Sequence, residues 1–180
     1  MLEDERLISE LHRGDKQALR QIYLKYKDNL LSIAASLLHD THAAEDVLHD
    51  VFVSFAAGAG KIKLRVNLRN YLVASVANRV RDLYRKKKHP TVGLDNAGQI
   101  SSDSSNPVQS AIFGEQYRLL TDALFQLPFE QRETTVLHIK GGMKFREIAR
   151  MQGIATSTVQ GRYRYGIGKL RTVLNGERKK

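Results

Sequence analysis

Apolar residues recur along this chain at intervals of three and four, the period of an α-helix. Leu19, Ile22, Tyr23, Tyr26, Leu30, Ile33, Ala34 and Leu37 form one long stripe. Ala44, Val47, Leu48, Val51, Phe52 and Phe55 form a second. A third runs through Leu68, Tyr71, Leu72, Ser75, Val76, Val80 and Leu83, with Asn67 placed to cap its start. Gly58, Ala59 and Gly60 break the pattern between the second and third stripes. Three such helices can bury a common core of modest size. Residues 91–110 lose the pattern: Gly93, Gly98, a Ser101–Ser105 cluster and Pro107 read as a flexible linker. Extended at roughly 3.3 Å per residue, it would span several tens of ångströms and let its flanks sit far apart. Helical patterning resumes with Phe113, Tyr117, Leu120, Leu124 and Leu127, stopped by Pro128. Val136, Leu137 and Ile139 predict a short helix ended by Gly141-Gly142. Val159, Tyr163, Ile167, Leu170 and Leu174 predict the inner face of a last helix, and Asn175–Lys180 a disordered tail. No stretch reads convincingly as a strand. The expected fold is all-α: two small helical domains, residues 1–90 and 111–180, joined by the flexible linker 91–110.

Between the last two helical segments lies the spacing of a helix-turn-helix. Ala149, in Glu147-Ile148-Ala149, is small enough for a second helix to cross closely. Gly153, four residues on, suits the left-handed backbone of a tight turn. Val159, six beyond that, would seat the second helix on the first. That second helix carries Gln160, Arg162, Arg164 and Tyr165, side chains that suit a DNA groove. An ordinary helical hairpin with a basic solvent face is the plainer alternative.

Charge favours the DNA reading. The net charge of +10 is segregated along the chain. Residues 1–60 hold 6 Lys/Arg against 10 Asp/Glu, and residues 61–90 hold 10 against 1. Residues 91–130 hold 1 against 5, and residues 131–180 hold 12 against 3. Two basic segments imply two nucleic-acid contacts, and two acidic ones leave surface for protein partners. There is no Cys, which excludes disulfides, thiolate metal sites and thiol switches. The acidic start Met1-Leu2-Glu3-Asp4-Glu5 lacks a signal-peptide apolar run, and no apolar stretch approaches the roughly 20 residues of a membrane span. A cytoplasmic location without membrane insertion is expected.

Three motifs carry a family resemblance. Ala44-Glu45-Asp46-Val47-Leu48-His49-Asp50-Val51-Phe52 resembles the core-polymerase-binding helix of bacterial RNA polymerase sigma factors. Leu68-Arg69-Asn70-Tyr71-Leu72, continuing through Ala77-Asn78-Arg79-Val80-Arg81-Asp82 to Arg85, resembles the helix that contacts the promoter −10 element. Leu127-Pro128 through Arg132-Glu133, then Glu147-Ile148-Ala149 and Thr158-Val159, resembles the −35-reading domain. Two such domains with a short linker are similar to the extracytoplasmic-function class. The chain departs from the family pattern at His49-Asp50, at Tyr71 where Trp is usual, at Ala155 where Ser is common, and in the glycines around Gly166. Ala155 shifts the expected helix cap to Thr156.

The resemblance implies a protein with no catalytic activity, cofactor or small-molecule substrate. Its implied partners are core RNA polymerase, through the β′ coiled coil and β flap, promoter DNA and an anti-sigma factor. Glu45, Asp46, His49, Asp50 and Phe52 would bind the polymerase. Lys61, Lys63, Tyr71, Asn78, Arg79, Arg81, Arg85 and Lys88 would bind the −10 element. Asn78, Arg81, Arg85 and Lys88 fall at i, i+3, i+7 and i+10, hence on one helix face. Lys and Arg neutralise phosphates and Asn can pair with a base edge. The loop Gly58–Lys63 resembles the family's base-capturing loop. Tyr71 reads equally as a wedge at the melting edge and as core packing. Ser157, Thr158, Gln160, Gly161, Arg162, Arg164, Tyr165 and Lys169 would contact the −35 element, with Gln160 and Arg164 on base edges.

Other chemistries find little support. His39, His42, Asp46 and His49 are spaced to lie near one helix side, but without Cys and on the expected docking face they do not make a metal site. Gly141-Gly142 lacks the Lys-Ser/Thr of a phosphate loop. A stand-alone helix-turn-helix regulator is the rival function. It would normally dimerise on a palindrome, and no extra dimerisation helix is evident.

Overall fold

The computed structural model describes residues 2–59, 67–88 and 115–177. The linker 91–110, Lys61, Lys63 and most of the loop Gly58–Lys63 lie outside them. Eight helices make up the described part: α1 Leu2–His12, α2 Lys16–Leu38, α3 Thr41–Gly58, α4 Leu68–Lys88, α5 Glu115–Phe125, α6 Phe129–Ile139, α7 Phe145–Gln152 and α8 Thr156–Glu177. No strand occurs among the described residues, and none of their helices is long and apolar enough to cross a membrane.

Side-chain caps fix where the long helices begin. The Asp15 carboxylate accepts from the Gln17 N–H at 2.7 Å, opening α2. Asp40 accepts from Ala43 N–H at 3.0 Å, opening α3. Asn67 accepts from Asn70 N–H at 2.7 Å, opening α4 as its sequence position predicts. Each cap satisfies a helix-end donor and is worth about 1 kcal/mol. Between α2 and α3 the chain turns on His39, at φ 56°, a left-handed conformation more usual for Gly.

The apolar stripes of α2, α3 and α4 meet as predicted. Ile22, Leu30 and Ile33 pack with Val47 and Phe55, and with Leu72 and Val76, all essentially without solvent contact. α1 is an addition. Its apolar pattern, Leu7, Ile8 and Leu11, is too short to read as a stripe, yet all three are buried. Polar contacts tie it down: Asp4 accepts from Lys25 Nζ at 2.8 Å and from the Tyr26 hydroxyl at 2.7 Å.

In the second half, Leu137, Ile148 and Val159 are fully buried at the junction of α6, α7 and α8. Three expectations change here. Pro128 opens α6 rather than closing a helix that reaches Leu127, because α5 already ends at Phe125. Ile139 is 58% exposed, since the end of α6 turns it away from the core. α8 continues through Asn175 to Glu177, so the start of the expected disordered tail is helical.

Packing does not stop between the halves, and one cluster of buried side chains runs through both. The turn after α6 presses into the first half. Lys140 donates from Nζ to Ser32 Oγ at 3.0 Å and Ser36 Oγ at 2.7 Å. Its carbonyl accepts from Arg69 at 3.1 Å. Gly142, at φ +68°, has the Arg69 guanidinium 2.5 Å from where a Cβ would stand. A side chain there would have to displace the Arg69 guanidinium and would strain the left-handed backbone.

Burial raises the Asp4 pKa, but hydrogen bonds from Lys25 and Tyr26 outweigh it and hold the carboxyl below its ordinary value. A depressed carboxylate stabilises the fold above its unfolded pKa and stops doing so as pH falls through its folded one. Asp4→Asn should therefore cost about 1 kcal/mol near neutral pH, lowering the melting temperature by roughly 2–4 °C. Melting curves should converge with those of the parent only once the pH has fallen well below the ordinary carboxylate range. A gap of constant size at acid pH would mean that Asp4 acts through shape rather than charge.

Candidate nucleic-acid and partner interfaces

The helix-turn-helix forms as its spacing requires. α7 ends at Gly153, whose φ of 66° and ψ of 32° are left-handed. The N–H groups of Gly153 and Ile154 both bond to the Ala149 carbonyl. Glu147 closes the other end of α7, accepting from the Lys144 N–H at 2.7 Å. α8 starts at Thr156, so Ala155 occupies the cap position. Its carbonyl accepts from Thr158 N–H at 3.1 Å and Val159 N–H at 3.3 Å. The expected shift of the cap to Thr156 does not occur, because the turn has already delivered Thr156 in helical conformation.

Most of the residues predicted to read DNA on α8 face solvent. Ser157, Thr158, Gln160, Arg164, Tyr165 and Lys169 are exposed. Tyr165 is 65% exposed, with the Arg164 guanidinium 5.6 Å from its ring centre. A Cβ at Gly161 would meet no neighbour, leaving the outer surface of the helix open there. Arg162 is different. It is half-buried and donates to Gln152 Oε1 at 3.1 Å.

The predicted −10 residues on α4 are mostly engaged within the chain. Arg79 pairs with Asp50, its Nε 3.0 Å from the carboxylate. Arg85 pairs with Asp82. Asn78 is exposed and accepts from Arg81 at 3.3 Å. Arg81 also donates to Glu133 on α6 at 2.6 Å. Tyr71 is half-buried, its ring 6.0 Å from Phe55, so here it packs against the core. Lys88 ends the helix.

Glu133 falls within the motif that resembles the −35-reading domain, but the sequence alone assigns it no individual role. Its side chain is enclosed, with the residue only 2% exposed. Burial pushes its carboxyl up from the ordinary value, and the charge and hydrogen bond of Arg81 pull it back down. Its second oxygen accepts from Gln152 Nε2 at 2.9 Å, and Gln152 holds Arg162. A continuous polar chain, Arg81–Glu133–Gln152–Arg162, thus joins α4 to α8. The available signal was an acidic residue in a segment with 12 bases and 3 acids, but nothing in the sequence says which base it meets.

Further contacts join the halves nearby. Asn70 on α4 donates to Glu147 at 2.7 Å. Arg132, also buried, lies 3.9 Å from the Phe125 ring centre and donates to the Tyr84 hydroxyl. Burial lowers its pKa. Tyr84 stacks on Phe129 at 4.0 Å.

On another surface, α2 and α3 leave an open groove. Leu19, Tyr23, Leu31, Leu48, Phe52 and Val53 give it apolar walls, and Lys27, Asp28, Glu45 and His49 are polar positions along it. Val53 is 53% exposed. Of the residues predicted to bind polymerase, Glu45, His49 and Phe52 line the groove. Asp46 is exposed outside it and Asp50 is turned to Arg79. Tyr23 and Leu19 were expected in the core stripe. Instead Tyr23 meets Phe52 edge-on at 4.9 Å on the groove wall.

The supposed histidine alignment dissolves. His39 lies before α3, stacks on Phe125 at 4.4 Å and approaches Asp122 at 3.2 Å, away from the α3 helix that carries His42, Asp46 and His49. Among the described residues no group of three or more His, Cys, Asp or Glu is arranged to hold a metal ion.

Comparison with known proteins agrees with this architecture. The Sigma-70 region 2 family model matches residues 22–89. The ECF RNA polymerase sigma factor SigM of Mycobacterium tuberculosis is 30% identical over 160 residues, covering 88% of this chain and 78% of that protein. The solved structure of CnrH in complex with the cytosolic domain of CnrY is similar with a TM-score of 0.71, at 22% identity, over 97% of this chain and 98% of that one. That of the sigma factor RpoE with the anti-sigma factor NepR from Bartonella quintana has a TM-score of 0.64, at 22% identity, over 87% and 96%.

The turn geometry makes two glycine substitutions diverge. Neither Gly153 nor Gly168 has a neighbour within 4 Å of an added Cβ, so only backbone conformation matters. Gly153→Ala should cost about 1–2 kcal/mol because its φ is left-handed. Gly168→Ala, inside α8, should gain roughly 0.5–1 kcal/mol. Urea midpoints should move in opposite directions with unchanged slopes. Parallel shifts would contradict the turn described here.

Proposed function

The chain belongs to the extracytoplasmic-function class of bacterial RNA polymerase sigma factors, and from that premise we propose how its surfaces divide the work. It binds core RNA polymerase, carries it to a promoter with −35 and −10 elements, and helps to melt the −10 region. The chemistry of RNA synthesis belongs to the polymerase. Residues 1–90 act as the core-binding and −10 domain, and residues 111–180 as the −35 domain.

The observation that carries this reading is the coexistence of an exposed recognition helix with a separate apolar groove edged by acidic residues. α8 enters the major groove, where Gln160 and Arg164 suit base edges and Arg162 and Lys169 suit phosphates. Ser157, Thr158 and Gly161 border that contact, and Tyr165 offers an apolar surface to a thymine methyl. The α2/α3 groove fits a helical partner whose apolar side chains enter it, and Glu45 attracts basic residues on that partner. A polymerase coiled coil has that form, and an anti-sigma factor would compete for the same place. RpoE, which shares this fold, has been solved with such a factor. The −10 contact falls to Lys61, Lys63, Asn78, Arg79, Arg81, Arg85 and Lys88, with Tyr71 at the edge of melting.

Purified chain mixed with sigma-free core polymerase on a genomic fragment library should give discrete transcript starts with two boxes at fixed spacing. Binding of a palindrome by the chain alone, without such starts, would favour a stand-alone regulator. Arg164→Ala should reduce initiation about 10-fold or more, from roughly 1–3 kcal/mol of lost base discrimination, while core binding is unchanged. Val53→Asp should do the reverse, weakening core binding by placing a charge in the groove. If the two phenotypes exchanged, the assignment of the surfaces would be wrong.

A further inference from the structure

Gly166 lies inside α8, where a glycine weakens a helix relative to alanine. The packing supplies a reason for it. The residue is buried against α6, and a Cβ there would stand 2.8 Å from Thr135 Oγ1 and 3.4 Å from the Gln131 carbonyl. Thr135 is itself buried, and its hydroxyl donates to that same carbonyl at 2.8 Å, which fixes its rotamer. A hydroxyl so held has no long side chain behind it to swing aside. The two helices therefore approach more closely here than a side chain at 166 would permit. We propose that Gly166 is a positioning residue for promoter choice: by letting α8 sit against Thr135, it sets how Arg164 and Tyr165 reach into the major groove, and so which −35 sequence is preferred. This rests on the sigma-factor reading for the roles of Arg164 and Tyr165.

The two reading residues stand between two anchors. On one side is Tyr163, whose ring meets His138 of α6 edge-on at 4.9 Å and Phe145 of α7 at 5.2 Å. On the other is Gly166, next in sequence to Tyr165. Val159 and Leu170 carry the same buried face toward either end of the helix. Arg164 and Tyr165 are exposed and lean on each other, the guanidinium 5.6 Å from the ring centre. Their direction is inherited from the backbone between residues 163 and 166. A methyl group at 166 would have to move outward by roughly half an ångström to reach ordinary contact with Thr135. With Tyr163 held by its aromatic neighbours, α8 would tilt, and Arg164 would swing with it. A bidentate contact with a base edge tolerates little of that, because both N–H groups must stay at hydrogen-bond distance. The attraction of Lys169 to phosphate is less directional and survives. Gly166 thus acts on which bases are read, not on how strongly the helix is drawn to DNA.

Space, not backbone conformation, accounts for this glycine. Gly153 has a positive φ and Gly166 does not. Of the glycines in α8, Gly161, Gly168 and Gly176 have nothing within 4 Å of an added Cβ, whereas Gly166 meets Thr135. The stretch around Gly166 is also one of the places where the chain departs from the family pattern. A close approach particular to this chain, one residue from a side chain that reads bases, points to a −35 preference particular to this chain.

The test uses the full chain with core polymerase, initiating on a promoter library whose −35 positions are randomised. Arg164→Ala, run on the same library, marks the base pairs that Arg164 reads. At those base pairs Gly166→Ala should lower the preference for the favoured base about 10-fold. The salt dependence of DNA binding should stay as in the parent, because no phosphate contact is lost. Thr135→Ala removes the hydroxyl that the new methyl meets. Alone it should keep the parent's base preference, and combined with Gly166→Ala it should restore that preference to within about 2-fold. Gly176→Ala places the same methyl in the same helix where it meets nothing, and should change no preference. If Gly166→Ala gives no folded protein by its melting curve, Thr135→Val serves instead: it puts a methyl where the hydroxyl stood and should shift the preference in the same direction. Loss of initiation by one factor on every −35 sequence would reveal a merely structural role and overturn the proposal. A changed preference that Thr135→Ala fails to restore, or that Gly176→Ala reproduces, would overturn it too. A parent indifferent to the −35 sequence would defeat the sigma-factor reading; a parent that reads its −35 box, with the same preference in Gly166→Ala, would defeat only the positioning role.

Discussion

A chain that must grip DNA phosphates carries its cations whether or not DNA is present. Here the net charge is +10, with two strongly basic segments, and like charges crowded on one compact body repel. The contact between Arg81 and Glu133 is where the fold meets this constraint most directly. A carboxylate enclosed by α4, α6 and α7 faces an unfavourable loss of hydration unless a cation attends it. Arg81 supplies that cation, and Gln152 satisfies the remaining oxygen. Remove the second half and Arg81 loses its carboxylate. Remove Arg81 and Glu133 becomes a buried carboxylate with no cation in direct contact, left with the Gln152 amide and the more distant Arg162. Each half therefore completes the electrostatics of the other. Arg79 with Asp50 and Arg85 with Asp82 do the same on a smaller scale within the first half, although exposed pairs of that kind contribute little to stability.

Much of the fold was legible because helical burial repeats locally. The stripes of α2, α3, α4 and α8 emerged from spacing alone, Asn67 capped α4, and the turn at Gly153 followed from three small constraints. What escaped was either too short or too distant. α1 has only three buried apolar residues near its end, less than a recognisable period. Tyr23 and Leu19 matched the α2 stripe but sit at its margin, where α3 covers them only in part, so a core pattern concealed a groove. Glu133 and Arg81 are separated by 52 positions, and Asn70 and Glu147 by 77. Periodicity carries no information at that range. The candidate site was thus readable as a set of exposed side chains on α8 and as a motif on α3. Which of the α4 arginines would be engaged at home was not.

Buried cations at the boundary between the halves add a further constraint. Arg132 is enclosed by Phe125, Phe129 and Tyr84, and burial lowers the pKa of both Arg132 and Lys140. Such groups are poor evidence for stability, because removing them from water costs about as much as their contacts return. Their value lies in reversibility. An interface made of leucines would leave a sticky apolar face when opened. Here the buried apolar cluster that runs through both halves is accompanied by Arg, Lys, Ser, Asn and Glu contacts, which water can satisfy.

That property determines where apolar surface can remain exposed. The α2/α3 groove keeps Tyr23 and Val53 at the surface, and polar residues at its edge limit non-specific association. A partner that filled the groove would bury this apolar surface, and the hydrogen bonds between the halves lie elsewhere. Among the described residues, the hydrogen bonds and ion pairs across the boundary that involve Asn29, Ser32, Ser36, His39, Arg69, Asn70, Arg81 and Tyr84 use no residue that lines the groove. On α4, by contrast, Arg81 and Asn70 are already held by Glu133 and Glu147. The two surfaces therefore differ in access: the groove stands open, while this part of α4 is engaged within the chain.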